Sequence, residues 1–337
     1  MLVSLRSFQR RHSRLLVITL AVVVAAVIVI ALWGKRDDFA TAIREAPLWV
    51  LAAAVGLQLV ALLTRTEAWR ICVLAAGGTI GRRRLYRASS MGYVGSLVNA
   101  QLGTAARIAA LRKSAPEESP TVAPLITAEV PIMVVEGLLA AIASVTLIAP
   151  LGLPWWVPLA VLAVALTISS GLRSLARGTG RGLRRGLNVM RSLHGSAWII
   201  GLILVATFAQ IARNWLVLHA VGVHDVTVFD ATAVLIAQVT LAQLPLGPST
   251  GAASTVLILG PHGVAAVAAA GVLLTVTGTI GGGLFALWAL FDRLKYGSLG
   301  PEDPVDVVVR EHAPGVKPVA HGEKAIEVGI EGREVGG

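Results

Sequence analysis

Cysteine and charged residues are both scarce in this chain of 337 residues. Cys72 is the only cysteine, which excludes an internal disulfide and a thiolate cluster for a metal. Lys, Arg, Asp and Glu make up 14% of the residues, whereas soluble domains have about a quarter. No His-Glu-x-x-His and no P-loop occurs, and the histidines are scattered. We therefore expect no metal, no cofactor and no nucleotide-driven activity.

Apolar residues dominate the chain instead. They account for 55% of it, and the mean hydropathy is +0.75. The formal net charge is +10, but in a membrane protein an excess of Lys and Arg marks the loops that stay in the cytoplasm. We predict an all-α polytopic protein of the cell inner (cytoplasmic) membrane, with a cytoplasmic N-terminus and no nucleic-acid partner.

Eight hydrophobic segments follow one another, and six of them are continuous enough to span a bilayer. A hydrocarbon core of about 30 Å requires about 20 apolar residues in a helix. The predicted spans are residues 15–33, 47–64, 124–150, 154–172, 196–220 and 264–291. The N-terminus (1–14) and the loops 65–87 and 173–195 are basic and predicted to be cytoplasmic. The transmembrane domain is thus 15–291, with a loop at 34–46 and a disordered cytoplasmic tail over 292–337.

The segment 91–107 is apolar but interrupted. Gly92, Gly95 and Gly103 loosen it, and arginines flank it on both sides. If it spanned the membrane, the basic loop 173–195 would lie outside, against the positive-inside rule. We therefore predict a re-entrant helical hairpin that returns to the cytoplasmic side. Irregular backbone at membrane depth lies within protein or lines a wet cavity, so this hairpin is a candidate wall of a binding site.

A second interrupted segment covers residues 232–258. Its middle holds two prolines and two glycines within seven residues, which breaks a helix. The run Leu97–Thr104 can be aligned with Leu241–Pro248, and Leu or Gly is identical at three positions. Two hairpins that enter the membrane from opposite faces, as in an inverted repeat, are typical of secondary transporters. In the last span, Gly278 and Gly282 are four residues apart and allow close helix contact.

The two interrupted segments resemble the lysylphosphatidylglycerol-synthase transmembrane-region family, a flippase-like family of integral membrane proteins. Its first motif is similar to Pro-x-Arg-x-Gly-(Asp/Glu)-x-x-Arg, and the run Asn99–Arg107 retains the Gly and the final Arg. Its second motif is a Pro-x-x-Pro-Gly-Gly-x-Gly segment followed by a Glu. The run Pro245–Gly251 retains both prolines and the last Gly, with Ser254 in place of the Glu. The resemblance implies the handling of phospholipids or polyprenyl lipids, in a divergent branch of the family.

Several polar residues in apolar surroundings are candidates for binding a lipid head group. Arg107, and Arg213 with Asn214, fit phosphate oxygens. Alternatively, Arg107 only sets topology, and Arg213 snorkels to the outer head groups. Glu129 and Glu136 are seven residues apart, so they share a helical face. They bind a cation, relay protons or pair with Arg107 or Arg213, unless Glu129 lies in the head-group zone; Glu136 is the deeper of the two.

The remaining candidates lie in the two interrupted segments. They either contact the head group or satisfy backbone groups freed by the helix breaks. These residues are Asn99, Gln101, Thr104, Gln243, Pro245, Pro248, Ser249 and Thr250.

A lipid transporter or flippase with a central polar head-group site is the function that these features predict. Its partners would be membrane lipids, either anionic phospholipid or polyprenyl phosphate. The alternative is a non-catalytic membrane subunit or scaffold for a cell-envelope lipid-modifying enzyme, because the related synthases carry a soluble catalytic domain. A transferase that uses the two glutamates is a third hypothesis.

Overall fold

The computed structural model of the chain describes residues 36–97, 100–114, 119–178, 193–223, 226–242, 250–260 and 264–296. All regular structure in these ranges is helical. The helices are α1 (Arg36–Glu45), α2 (Leu48–Ala75), α3 (Arg82–Ser96), α4 (Ala100–Ser114), α5 (Val122–Thr127), α6 (Val130–Ala143), α7 (Ile148–Leu151), α8 (Trp156–Gly178), α9 (Leu193–Ala220), α10 (Val228–Leu241), α11 (Thr250–Leu259) and α12 (Val264–Tyr296). A 3₁₀ turn, Ser144–Leu147, joins α6 to α7.

Four helical stretches in the described ranges are long and apolar enough to cross a membrane. They are Leu48–Ala75, Val122–Leu151, Ser196–Ala220 and Val264–Tyr296. This confirms a helical, multi-pass membrane class, and the four coincide with predicted spans. The predicted span 154–172 forms a shorter apolar helix, Trp156–Gly171, and the predicted span 15–33 lies outside the described residues. The prediction of six spans is therefore not confirmed as a count.

Helix α2 is longer than predicted. The sequence places the end of the span at Thr64 and puts Arg65, Glu67 and Arg70 in a loop, whereas the helix continues to Ala75. Glu67 accepts a hydrogen bond from Arg70 Nε one turn later, at 2.8 Å, so the charges are matched within the helix. Gly77, with a φ of 92°, ends it. The predicted loop 34–46 likewise contains a helix, α1.

Helices α3 and α4 form an antiparallel hairpin. Glycines make the close approach possible, because a Cβ added at Gly103 would lie 2.8 Å from the carbonyl oxygen of Gly92. A Cβ at Gly95 would lie 2.8 Å from the carbonyl oxygen of Leu102. The eleven residues from Arg87 to Leu97 rise by about 15 Å, half the thickness of a hydrocarbon core. Both basic ends of the hairpin therefore lie at the same end of the bundle.

The second predicted break also separates two helices. Helix α10 ends at Leu241 and α11 begins at Thr250, while residues 243–249 lie outside the described part of the chain. Helix α11 packs antiparallel to the first half of α12 through small residues. A Cβ added at Gly251 would lie 2.7 Å from the carbonyl oxygen of Gly271, so only glycine fits there.

The antiparallel pair of α2 and α9 runs through two separate hydrophobic cores. One core lies among α2, α3, α4, α6 and α9, with Trp69, Leu85, Leu111 and Ile203 fully buried or nearly so. The other lies among α9, α10, α11 and α12, with Val217, Val234, Leu259 and Leu274 at its centre. The C-terminal half of α2 and the N-terminal half of α9 line the first core, and the other halves of both helices line the second. The two cores therefore lie at opposite ends of the bundle.

Candidate functional site

A group of polar side chains, which we call the Arg213 cluster, lies between the two cores. It consists of Gln58 on α2, Tyr93 on α3, Arg213 and Asn214 on α9, and Gln238 on α10. Arg213 is only 6% exposed, and its Nη1 donates a hydrogen bond to Gln58 Oε1. This burial is inconsistent with the alternative that Arg213 snorkels to outer head groups.

Helix α12 provides a glycine surface for this cluster. The Tyr93 hydroxyl donates a hydrogen bond to the Gly278 carbonyl oxygen at 2.8 Å. A Cβ at Gly278 would lie 3.5 Å from Arg213 Nη1, and a Cβ at Gly282 would overlap the Tyr93 ring. The glycines predicted to allow close helix contact thus admit side chains from α3 and α9.

Asn214 is fully buried beside Arg213 and connects α9 to α10. Its Nδ2 donates to Gln238 Oε1 at 3.4 Å and lies 3.5 Å from the Ala231 carbonyl oxygen. Two atoms of the cluster, Arg213 Nε and Asn214 Oδ1, have no hydrogen-bond partner among the described residues. The described residues thus leave one buried donor and one buried acceptor of this cluster unsatisfied.

Arg213 also has no carboxylate partner among the residues that the structure describes. The sequence contributes no Asp, Glu, Lys or Arg between positions 231 and 291, and none between 88 and 106. Gln58 is the only polar residue between positions 47 and 63. A guanidinium buried in protein at membrane depth is costly unless an anion compensates it, so such residues mark binding sites.

The contacts along α12 locate this cluster between the hairpin α3–α4 and the pair of helices α10 and α11. At the basic end of α12, Arg87 Nε pairs with Asp292 Oδ2 at 2.6 Å. Tyr93 contacts α12 at Gly278, 14 residues or about 21 Å further along. Gly251, at the start of α11, packs against Gly271 from the other end. The hairpin α3–α4 and the pair α10–α11 thus approach the middle of α12 from opposite ends.

A second polar group, the Arg107 cluster, lies inside the core of α2, α3, α4 and α6. Arg107 Nη2 donates to Glu129 Oε2 in an ion pair, and Glu129 is 7% exposed. The guanidinium carbon of Arg107 stands 4.3 Å from the centroid of the Trp69 ring. The pair is therefore shielded from solvent and faces an aromatic ring, in a favourable cation–π arrangement.

Glu136 belongs to neither cluster. Its Oε1 lies 2.6 Å from Arg65 Nη2, and the two side chains are 32% and 42% exposed. The sequence ranks Glu136 as the deeper glutamate, but in the structure Glu129 is the buried one. The reason is the hairpin, because α4 places Arg107 over Glu129 and leaves the next turns of α6 less covered.

The other predicted site residues divide between the described and undescribed parts of the chain. Gln101 is exposed and Thr104 half-buried on the first turns of α4. Thr250 begins α11. Asn99, Gln243, Pro245, Pro248 and Ser249 lie outside the described residues. Of the residues predicted to form one site, Arg107, Glu136 and Arg213 each contact a different side chain, namely Glu129, Arg65 and Gln58.

Sequence reasoning overlooked the neighbours that define the two clusters. Gln58 carried a signal, as the lone polar residue of its span. Tyr93 and Trp69 carried none, because aromatic residues are common in apolar segments. Residues 247–251 also read Gly-Pro-Ser-Thr-Gly, which fits the Gly-x-Ser-x-Gly pattern of a nucleophile elbow. That elbow joins a strand to a helix, whereas the described residues on both sides are helical.

Comparison of the chain with protein-family models, curated proteins and solved structures gave no match. The resemblance to the lysylphosphatidylglycerol-synthase transmembrane-region family thus stays a prediction from two sparse motifs.

Proposed function

We propose that this protein moves a lipid head group across the cytoplasmic membrane, through the polar region between its two helical hairpins. The observation that carries the proposal is Arg213, a buried guanidinium whose only described side-chain partner is the neutral amide of Gln58. It lies beside the middle of α12, where a head group in transit would be furthest from water on either side.

The arrangement of the hairpins supports this proposal. In secondary transporters, broken helices that enter from opposite faces meet near the midplane and form the substrate site. Here the hairpin α3–α4 supplies Tyr93, and the pair α10–α11 supplies Gln238. Glycines line both contacts with α12 and allow the helices to approach closely. Movement of one hairpin at a time would give the head group access to alternate sides, while the acyl or prenyl chains stay in the bilayer.

Charge supports an orientation for this cycle. The open end of the α3–α4 hairpin carries arginines, and α12 ends in Arg293 and Lys295 beside it. By the positive-inside rule this end faces the cytoplasm, so the hairpin α3–α4 would control cytoplasmic access. The pair α10–α11 would control access from the other side. Membership of the flippase-like family would imply the same class of activity.

Lipid scrambling in reconstituted vesicles tests the proposal. The full chain would be placed in phosphatidylcholine vesicles containing fluorescent phosphatidylglycerol, and dithionite would report the fraction of label in the outer leaflet. We expect full bleaching with the wild type and about half with Arg213→Gln. Arg112→Gln is the matched control, since Arg112 is exposed at the basic end of α4. Half bleaching by all three proteins would overturn transport and favour the role of a subunit of a lipid-modifying enzyme.

A further inference from the structure

We infer that the Arg213 cluster selects a lipid head group carrying a single negative charge on a phosphodiester, and that Gln58 holds the place of that phosphate when no lipid is bound. The inference rests on the proposed function for its biological meaning, but it is a statement about binding. It separates two lipid classes that the proposal leaves open, namely phosphodiester lipids and polyprenyl phosphate monoesters.

The charge balance of the bundle interior leads to this class. Arg107 is neutralised by Glu129, and Glu136 by Arg65, so both pairs contribute no net charge. Arg213 then contributes one positive charge among the described residues at the centre of the bundle. The adjoining sequence 243–249 adds no charged residue. A phosphodiester supplies one negative charge, whereas a phosphomonoester carries about 1.5 to 2 at neutral pH.

A zwitterionic head group fits the cluster poorly. Its ammonium would add a second positive charge beside Arg213, and no carboxylate partner of Arg213 occurs in the part of the chain that the structure describes. Asn214 Oδ1, which is buried and without a described partner, needs a hydrogen-bond donor. A hydroxylated head group supplies such a donor, and a choline group has none. The cluster therefore favours an anionic, hydroxyl-bearing head group over choline lipids.

The contact between Arg213 and Gln58 indicates where the phosphate would sit. Gln58 Oε1 accepts from Arg213 Nη1, which leaves Nε without a described acceptor. A guanidinium can donate two parallel bonds to one phosphate, through an Nη and Nε. A phosphate that displaces the amide oxygen would satisfy both donors. Because an amide is a weaker acceptor than a carboxylate, Gln58 can be displaced in a way that Glu129 cannot be displaced from Arg107.

Native mass spectrometry of the full chain measures this selectivity directly. The protein would be released from mixed micelles of a neutral detergent and phosphatidylcholine that contain an equal fraction of either phosphatidylglycerol or phosphatidic acid. We expect one phosphatidylglycerol to be retained about tenfold more than phosphatidylcholine, the factor expected for one charge-assisted contact. Phosphatidic acid should be retained less well than phosphatidylglycerol. Equal retention of all three lipids, or a preference for phosphatidic acid, would overturn the inference.

Two variants make the test specific to the cluster. Arg213→Gln should lose the preference, and Gln58→Glu should lose it as well, because a carboxylate would occupy the guanidinium permanently. Arg112→Gln should retain it. A preference that survives in both cluster variants overturns the inference. Selective retention together with failed transport in vesicles would leave the binding site intact and refute only the proposed function.

Discussion

Two arginines of this bundle, the half-buried Arg107 and the buried Arg213, have their charges compensated in opposite ways. Arg107 has a carboxylate, Glu129, and the face of Trp69. Arg213 has the neutral amide of Gln58, and its Nε has no partner among the described residues. Arg213, the more buried of the two, thus lacks the counter-charge that the half-buried Arg107 has.

This difference assigns Arg107 to the stability of the fold, and it supports the proposal that Arg213 binds a lipid head group. Removing one partner of a buried ion pair leaves an uncompensated charge and is strongly destabilising, so we expect the loss of either Arg107 or Glu129 to destabilise the fold. An arginine without a counter-ion destabilises the empty protein, and its presence is explained if binding offsets that cost. The hairpin α3–α4 contributes to both clusters, through Arg107 on one helix and Tyr93 on the other.

The largest expected effect concerns Glu129. Glu129→Gln leaves the half-buried Arg107 uncompensated, and we expect it to lower the free energy of unfolding by about 3 kcal/mol. Chemical unfolding in detergent micelles, followed by tryptophan fluorescence, would measure the change. The double variant Arg107→Met with Glu129→Leu should recover most of the loss, because it removes both charges. An unchanged midpoint for Glu129→Gln would show that the ion pair does not hold the hairpin.

A smaller loss is expected where Tyr93 packs on α12. Gly282→Ala places a methyl group inside the Tyr93 ring and should cost about 2 kcal/mol through overpacking. It should also break the hydrogen bond from Tyr93 to Gly278 and reduce lipid transport. Gly283→Ala is the matched control, since a Cβ there would have no neighbour within 4 Å. Equal stability of the two variants would mean that Tyr93 does not depend on the glycine surface.

Local patterns in the sequence were sufficient to predict the four long apolar helices that the structure describes and the ends of α3 and α10. Helix α10 ends at Leu241 and α11 begins at Thr250, on either side of the Pro- and Gly-rich run. Proline interrupts a helix at its own position, so such a boundary can be predicted from the local sequence. The extension of α2 to Ala75 was missed. It depends on Glu67, which accepts bonds from Arg70 and from Tyr86 of another helix, and the apolar pattern does not record such a contact.

The two clusters could be predicted only in part, because each is made by contacts distant in sequence. Arg213 and Asn214 were recognised as polar residues in a span, but the partner of Tyr93 is 185 residues away. The sequence did not identify Glu129 as the more buried glutamate, since depth along a hydrophobic segment says nothing about which neighbour covers a side chain. Glu129 is buried under Arg107, whereas Glu136 is 32% exposed.

The ion pair of Arg65 and Glu136 is a more exposed counterpart of the ion pair between Arg107 and Glu129. Exposed ion pairs contribute little, so Glu136→Gln should change the free energy of unfolding by less than about 1 kcal/mol. A double-mutant cycle with Arg65→Gln would isolate the coupling between the two side chains. A coupling as large as that of Arg107 with Glu129 would mean that Glu136 is screened from solvent in the membrane.

Arg213 should show the smallest effect on stability and the opposite sign. Arg213→Gln removes an uncompensated buried charge and keeps a donor for Gln58, so the unfolding midpoint should stay the same or rise. Functional residues that are strained for binding commonly behave in this way. The same unfolding assay, run without added anionic lipid, makes the measurement, and Arg112→Gln should not differ from the wild type. With phosphatidylglycerol added, the wild type should gain stability and Arg213→Gln should not. A loss in Arg213→Gln as large as that in Glu129→Gln would make Arg213 a structural residue, and the distinction between the two arginines would then fail.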